Sequence, residues 1–154
     1  LRAQMRIHWL GHPSGLPKNL VVQLKKLSEM TRHWDKFHLA LAINYSGRDE
    51  IVRTIGKMAK IFTQKSMENL AWEDAKMYMD SSGMPDIDLL IRTSGEQRLS
   101  NFMLLQMAYA ELFFTETLWP DFSEETFCHA LQFYASRERR FGNITPMGNA
   151  TSKN

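Results

Sequence analysis

The sequence holds one cysteine, Cys128, so no internal disulfide framework can staple it, which suits a reducing compartment. Within ETFCHALQF that cysteine reads as a small core residue rather than a nucleophile. Long hydrophobic runs are also missing. The longest, residues 102–114, is interrupted by Gln106 and Glu111 and is too short to cross a bilayer, and no signal-peptide pattern opens the chain. The expectation is a soluble, cytoplasmic protein. Neither sign of charge dominates: 19 Lys and Arg face 17 Asp and Glu, a net charge of +2, so no basic stripe implies a nucleic-acid partner, although RERRFGN gathers arginines locally. No GxxxxGK[ST] loop, no GxGxxG after a strand and no GxSxG elbow is present, which removes the usual grounds for nucleotide binding or a serine nucleophile. His8 and His12 are four apart, but a strand and a Gly-Pro turn separate them, so they do not share a helix face as a zinc pair would. An initiator methionine is lacking as well. The chain enters the strand-like MRIHWLG almost at once and reads as the back part of something longer.

What is present is an ordinary globular composition, 154 residues at 44% hydrophobic and 23% charged, enough for one domain with a core. Residues 5–10 form a strand candidate ended by Gly11 and Pro13. Pro17 suits a first helical position, and Leu20, Leu24, Leu27 and Thr31 recur at helical spacing. HLALAIN, residues 38–44, is an unalternating apolar run of strand length, the pattern of a parallel strand buried on both faces. Ser46 and Asp49 then make a capping box, Asp49 and Glu50 fill a first turn, and Ile51, Val52, Ile55, Met58, Ala59 and Phe62 make one apolar face. A weaker helix is predicted over 67–79, a strand over 88–92, a helix over 101–109 and a strand over 111–115. A last helix over 123–140 is capped by Ser123, with Phe127, Ala130, Leu131 and Tyr134 inward and Arg137, Arg139 and Arg140 in its last turn. The order βαβαβαβα predicts an α/β fold, a single parallel β-sheet covered by helices. The ten methionines read as core filler.

Ligands of open α/β sheets bind beyond the carboxyl ends of the strands, a condition met by NYSGRDE and by RTSGEQRLSN. Asn44 and Tyr45 fit a binding role or a polar strand exit equally. In the second segment Arg92 and Arg98 offer planar forks for phosphate oxygens, Ser94 and Ser100 add hydroxyls, and Gly95 lets backbone N–H groups come close. Residue types alone fit either a diphosphate cradle or a staple in which the arginines pair with Glu96, Asp86 or Asp88. Glu111, alone in MAYAELFFTE, needs a partner charge, a metal or an interface to account for it.

LALAINYSGRDEIV, PDIDLLIRTSGEQRLSNFMLLQMAYAELFFTETLWPDF and RERRFG resemble the C-terminal motifs of the cis-prenyltransferases, the family of bacterial undecaprenyl diphosphate synthase, also called isoprenyl transferase. The resemblance runs from about Met5 to Gly142, with residues 143–154 left as a flexible tail. It implies a homodimeric, magnesium-dependent transferase that condenses isopentenyl diphosphate in cis geometry onto an allylic diphosphate such as farnesyl diphosphate, making a polyprenyl lipid-carrier precursor. Peripheral membrane contact through the product follows. By resemblance, Arg92, Arg98, Leu99 and Ser100 belong to the isopentenyl diphosphate site, Glu96 to the same catalytic motif, Glu111 to the Mg²⁺ site, and Arg140 and Gly142 to an RxG element that approaches the partner subunit's site. The family's Asp-Gly-Asn-Gly-Arg-Trp motif, which grips the allylic diphosphate and supplies the main magnesium-binding aspartate, is not in these residues, nor are the first strand and its loop. The expectation is that the chain as given is inactive. Two other readings stand beside it. A non-catalytic partner subunit need not keep Arg92, Arg98 and Ser100, and a general phosphate-binding module would take nucleotides in competition with isopentenyl diphosphate.

Overall fold

A computed structural model describes residues 4–63 and 68–138. The chain divides into two compact units, one of Leu1–Pro85 and Leu99–Leu105, the other of Asp86–Arg98 and Gln106–Asn154.

In the first unit β1 (Met5–Leu10) leads to α1 (Lys18–Met30), β2 (Phe37–Ala42), α2 (Gly47–Met58) and a short α3 (Trp72–Lys76). β1 and β2 pair in parallel, from Met5 opposite Phe37 to Leu10 opposite Ala42. Pro17 caps α1 rather than opening it, one residue earlier than expected. Leu24 is buried, and Thr31, fully buried at the end of α1, accepts from the Ile7 N–H at 3.0 Å while donating to Leu27 O at 2.9 Å. That hydroxyl ties helix to strand. The predicted helix over 67–79 shrinks to α3, where Asp74 accepts from the Ala71 N–H at 2.9 Å; residues 64–67 lie outside the described residues.

In the second unit β3 (Leu89–Arg92) pairs in parallel with β4 (Glu111–Phe114), Leu89 opposite Glu111 and Arg92 opposite Phe114. A 3₁₀ turn at Trp119–Asp121 precedes α4 (Glu124–Ala135), whose cap Ser123 accepts from the Thr126 N–H at 3.2 Å. Ala130 of α4 is fully buried, and Phe133 and His129 pack on Phe113 with ring centroids 5.4 and 5.5 Å apart. Cys128, expected in the core, is exposed, because α4 turns Ala130 inward and the two positions differ by most of a half-turn.

Parallel strands with helices bear out the α/β class. Among the described residues, however, the strands form two separate two-stranded ladders rather than one sheet. Apolar patterning reports how much of a strand is covered, not which strand bonds to it, so partner choice was beyond the sequence. β2 itself departs from expectation, since Phe37 is 53% and Leu39 41% exposed. The expected helix over 101–109 is a series of turns, because Asn101 (φ 64°) and Met103 (φ 42°) hold conformations no α-helix admits.

α2 forms where its capping box predicted, but turned about its axis. Glu50, Thr54 and Met58, four residues apart, are buried, while Val52 is 68% and Ile55 55% exposed. A hydrogen-bond network around Glu50 decides the rotation.

Candidate functional site

The loops leaving β1 and β2 are cross-braced. The His12 N–H donates to Asn44 O at 3.1 Å, and the Asn44 amide donates to His12 O at 2.7 Å and Ser14 O at 2.8 Å. A Cβ at Gly11 (φ 134°) would stand 2.2 Å from Ile43 O, so only glycine fits there. The Gly11 N–H donates to Asp80 Oδ2 at 3.1 Å. Asp80 receives both Arg53 Nη atoms at 2.7 and 2.6 Å, while Arg53 Nε reaches Asp49 at 2.7 Å. Glu50, 1% exposed, accepts from Tyr45 Oη at 2.5 Å and from the Asp80 N–H at 2.8 Å. Asn44 and Tyr45 are thereby structural groups, and Arg53 and Asp80 form a hub that sequence reasoning missed.

Burial pushes the Asp80 carboxyl up, but the Arg53 hydrogen bonds and charge, the Lys57 charge and the Gly11 N–H outweigh it and hold the group below the ordinary 3.8. Arg53 is held above its ordinary value, chiefly by its hydrogen bond to Asp80. With the folded pKa depressed, the stabilisation is fully present above the unfolded value, about pH 4, and is lost as pH falls through the lower folded value. Acid titration of unfolding should therefore steepen below about pH 4, and Asp80→Asn should flatten that limb. Identical acid limbs in both proteins would contradict the assignment.

The amino end of α2 is closed by one residue. Asn101 O accepts from the Gly47 N–H at 2.8 Å, Asn101 Oδ1 accepts from the Arg48 N–H at 3.0 Å, and Asn101 Nδ2 donates to Ser46 Oγ at 2.7 Å. Ser46 Oγ also accepts from the Asp49 N–H at 3.4 Å. A Cβ at Gly47 would lie 3.0 Å from Asn101 O, so a larger residue there would press on this contact. Ser100 (φ 47°) and Asn101 (φ 64°) are consecutive left-handed residues; such conformations cost on the order of 1 kcal/mol or more each and persist only where contacts over-determine them.

Arg92 is the last residue of β3 and is half-buried. After it, Ser94 (φ 71°) and Gly95 (φ 69°) turn the chain, the Ser94 N–H donating to Thr117 O and the Gly95 N–H to Thr115 O, both at 2.9 Å. The close backbone approach expected of Gly95 thus serves the protein's own chain, and the amides of 94 and 95 are already bonded. Arg98 pairs with Glu96, at side-chain exposures of 64% and 39%. Such exposed pairs contribute about 0–1 kcal/mol, so separating this one costs little. Leu99 and the exposed Ser100 belong to the first unit.

Glu111 opens β4 with a side chain 21% exposed and accepts from Arg137 Nε at 3.1 Å. Arg137, predicted inside the last helical turn, instead follows Ser136, the C-cap of α4, and stacks on the Phe133 ring at 5.5 Å. A partner charge is therefore what accounts for Glu111. Arg140 and Gly142 lie outside the described residues.

Parallel strands in α/β units, with an arginine-bearing loop leaving one strand end, define an α/β protein. Residues 1–142 match the family described as "Putative undecaprenyl diphosphate synthase", and the chain belongs to that family. It is 47% identical over 145 residues to the ditrans,polycis-undecaprenyl-diphosphate synthase ((2E,6E)-farnesyl-diphosphate specific) of Coxiella burnetii, covering 93% of this chain and 60% of that protein. It is 41% identical over 143 residues to the isoprenyl transferase of Thermotoga maritima, covering 93% and 61%. Among solved structures, lavandulyl diphosphate synthase from Lavandula x intermedia, in complex with dimethylallyl diphosphate, superposes with a TM-score of 0.84 at 31% identity, covering 93% of this chain and 62% of that one. A probable undecaprenyl diphosphate synthase from Campylobacter jejuni gives 0.80 at 32%, covering 92% and 65%. The chain thus spans about 60% of the length of the curated relatives it matches.

Proposed function

We propose that these residues are the isopentenyl diphosphate half of a cis-prenyltransferase that extends an allylic diphosphate such as farnesyl diphosphate. The observation that carries the reading is Arg98, bound only by an exposed ion pair in a loop whose amides at 94 and 95 are already bonded, beside Arg92 at the strand end. Arg92, Arg98 and Ser100 take the diphosphate oxygens, the main chain at Leu99 assists, and Glu96, released from Arg98 by the incoming diphosphate, serves the catalytic motif. In the proposed dimer Arg140 and Gly142, of the C-terminal RxG element, serve the partner subunit's site. Prenyl transfer needs cationic groups where diphosphate charge develops on the leaving group.

Mg²⁺ is the proposed cofactor. It binds through one or two carboxylates together with substrate phosphates and water, so a single half-buried carboxylate such as Glu111 fits it once diphosphate is present. When bound, the ion neutralises diphosphate charge. Were Glu111 to hold the ion, Arg137 would lose that partner and its guanidinium could meet the anion.

The proposed assembly is a homodimer, with residues 102–119 at or beside the two-fold interface. Trp119 is 74% and Leu118 55% exposed, and Trp119 stacks on Phe122 at 6.0 Å, an apolar surface that suits a second copy. Trp119→Ser should shift sedimentation velocity profiles toward monomer; association unchanged by it would end this interface. Among the described residues no helix is long and apolar enough to cross a membrane. The proposed location is cytoplasmic, with membrane contact made through the lipid product.

The deciding experiment incubates farnesyl diphosphate, labelled isopentenyl diphosphate and Mg²⁺ with the 154-residue chain, beside a version extended to the relatives' full length. Polyprenyl product is expected from the extended version alone, since allylic positioning draws on groups outside these residues. Comparable turnover by the chain alone would show the catalytic groups to be misplaced. An extended version without turnover would favour a non-catalytic partner subunit.

A further inference from the structure

We infer that Asn101 is a positioning residue that sets the conformation in which Ser100 meets the diphosphate, an inference resting on the proposal that Arg92, Arg98 and Ser100 hold isopentenyl diphosphate. Ser46 Oγ accepts from the Asp49 N–H as an N-cap does, and Asn101 closes the Gly47 and Arg48 amides that a single cap leaves open. Asn101 adds three contacts: its carbonyl with the Gly47 N–H at 2.8 Å, its Oδ1 with the Arg48 N–H at 3.0 Å, and its Nδ2 with Ser46 Oγ at 2.7 Å. They engage the backbone and both ends of the side-chain amide, so the orientation of the residue is fully determined.

That rigidity falls where the chain is strained. Asparagine tolerates the left-handed region better than most residues, whereas serine at φ 47° needs an external constraint. The constraint on Ser100 comes from both sides: Asn101 is fixed on α2, and the Phe102 N–H donates to Leu99 O at 2.9 Å to close a turn around residues 100 and 101. Gly47 is part of the device, since a Cβ there would lie 3.0 Å from Asn101 O and 3.2 Å from Leu104 Cγ. The result is an exposed serine at an unrelaxed backbone position, held in place by its neighbour. Binding that draws on a preformed conformation loses affinity when the constraint is removed, because the ordering must then accompany binding.

The test titrates isopentenyl diphosphate into the 154-residue chain and follows the Ser100 amide and arginine Nε–H resonances by NMR, with thermal melts of every variant. Asn101→Ala is expected to weaken binding about fivefold. Asn101→Asp keeps the acceptor for the Arg48 N–H and can accept from Ser46, and should bind within about twofold of the unaltered chain. Ser46→Ala removes the cap but spares the Gly47 and Arg48 contacts; it should lower the melting temperature while leaving most of the affinity. Wild-type affinity in a folded Asn101→Ala overturns the inference, as does a loss in Ser46→Ala equal to that in Asn101→Ala. If Asn101→Ala does not fold, Asn101→Gly, which keeps the backbone conformation without the side chain, takes its place under the same criteria. Arg92→Ala separates the two layers. Should it bind as the unaltered chain does, or should the unaltered chain not bind, the diphosphate reading falls and the inference with it. Should Arg92→Ala lose affinity while Asn101→Ala does not, only the inference falls.

Discussion

Replacing Arg92 or Arg98 with alanine, in a version of the relatives' full length, is expected to raise the KM for isopentenyl diphosphate tenfold to a hundredfold and to leave farnesyl diphosphate almost unaffected. A hydrogen bond from a charged donor contributes about 1.5–3 kcal/mol, which sets that range. Arg98 begins in an exposed ion pair with Glu96, so its net gain on meeting a diphosphate is reduced only by the small worth of that pair. Arg92, half-buried at the end of β3, is already ordered by the strand and should show the larger effect. Lysine should rescue neither position fully, because a point charge cannot reproduce the planar fork. Equal losses for both substrates would move these arginines out of the isopentenyl diphosphate site.

The second large effect is on stability. Asp80→Ala should destabilise the protein by about 3 kcal/mol, because it leaves Arg53, whose side chain is only 19% exposed, without its bidentate partner and removes the acceptor for the Gly11 N–H. Arg53→Met should cost less, since the Asp80 carboxylate it leaves keeps the Gly11 N–H at 3.1 Å and Lys57 Nζ at 3.7 Å. The two substitutions together should fall short of their sum by about 1 kcal/mol or more, the sign of a direct interaction. Urea denaturation of the four proteins measures this; strict additivity would show that Arg53 and Asp80 do not act as a pair.

Much of the fold could be read from residue patterns because the signals are local. Ser46 and Ser123 announced their helices, and both accept the cap hydrogen bonds expected of them. The apolar runs gave β1 to the residue, and β2, β3 and β4 within one or two. Long-range contacts defeated the reading elsewhere. The apolar spacing of α2 pointed Val52 and Ile55 inward, but Glu50 finds Tyr45 and the Asp80 N–H, thirty residues on in sequence, and takes the buried face instead. Residues 101–109 have the composition of a helix, yet Asn101 makes better use of its polar groups on α2 than a helix would allow. At the candidate site the arginines stood out by chemistry alone, whereas the exposure of the Arg98–Glu96 pair is a quantity sequence does not contain. Arg137 was placed in a helix and given no partner because nothing local links it to Glu111.

The hydrogen bonds between Asn101 and the start of α2 also dictate when this protein can finish folding. Segment Leu99–Leu105 belongs to the unit whose other part ends at Pro85, so that unit is interrupted in the chain by β3 and the arginine loop. A ribosome adds on the order of 5–20 residues per second, so several hundred milliseconds or more separate the emergence of Pro85 from that of Asn101. Through that interval the Gly47 and Arg48 amides have no carbonyl or side chain from residue 101 to meet. The first unit therefore cannot close until the second has begun, since residues 86–98 lie between its two parts, and chains stalled before residue 101 should exchange the Gly47 and Arg48 amide protons freely.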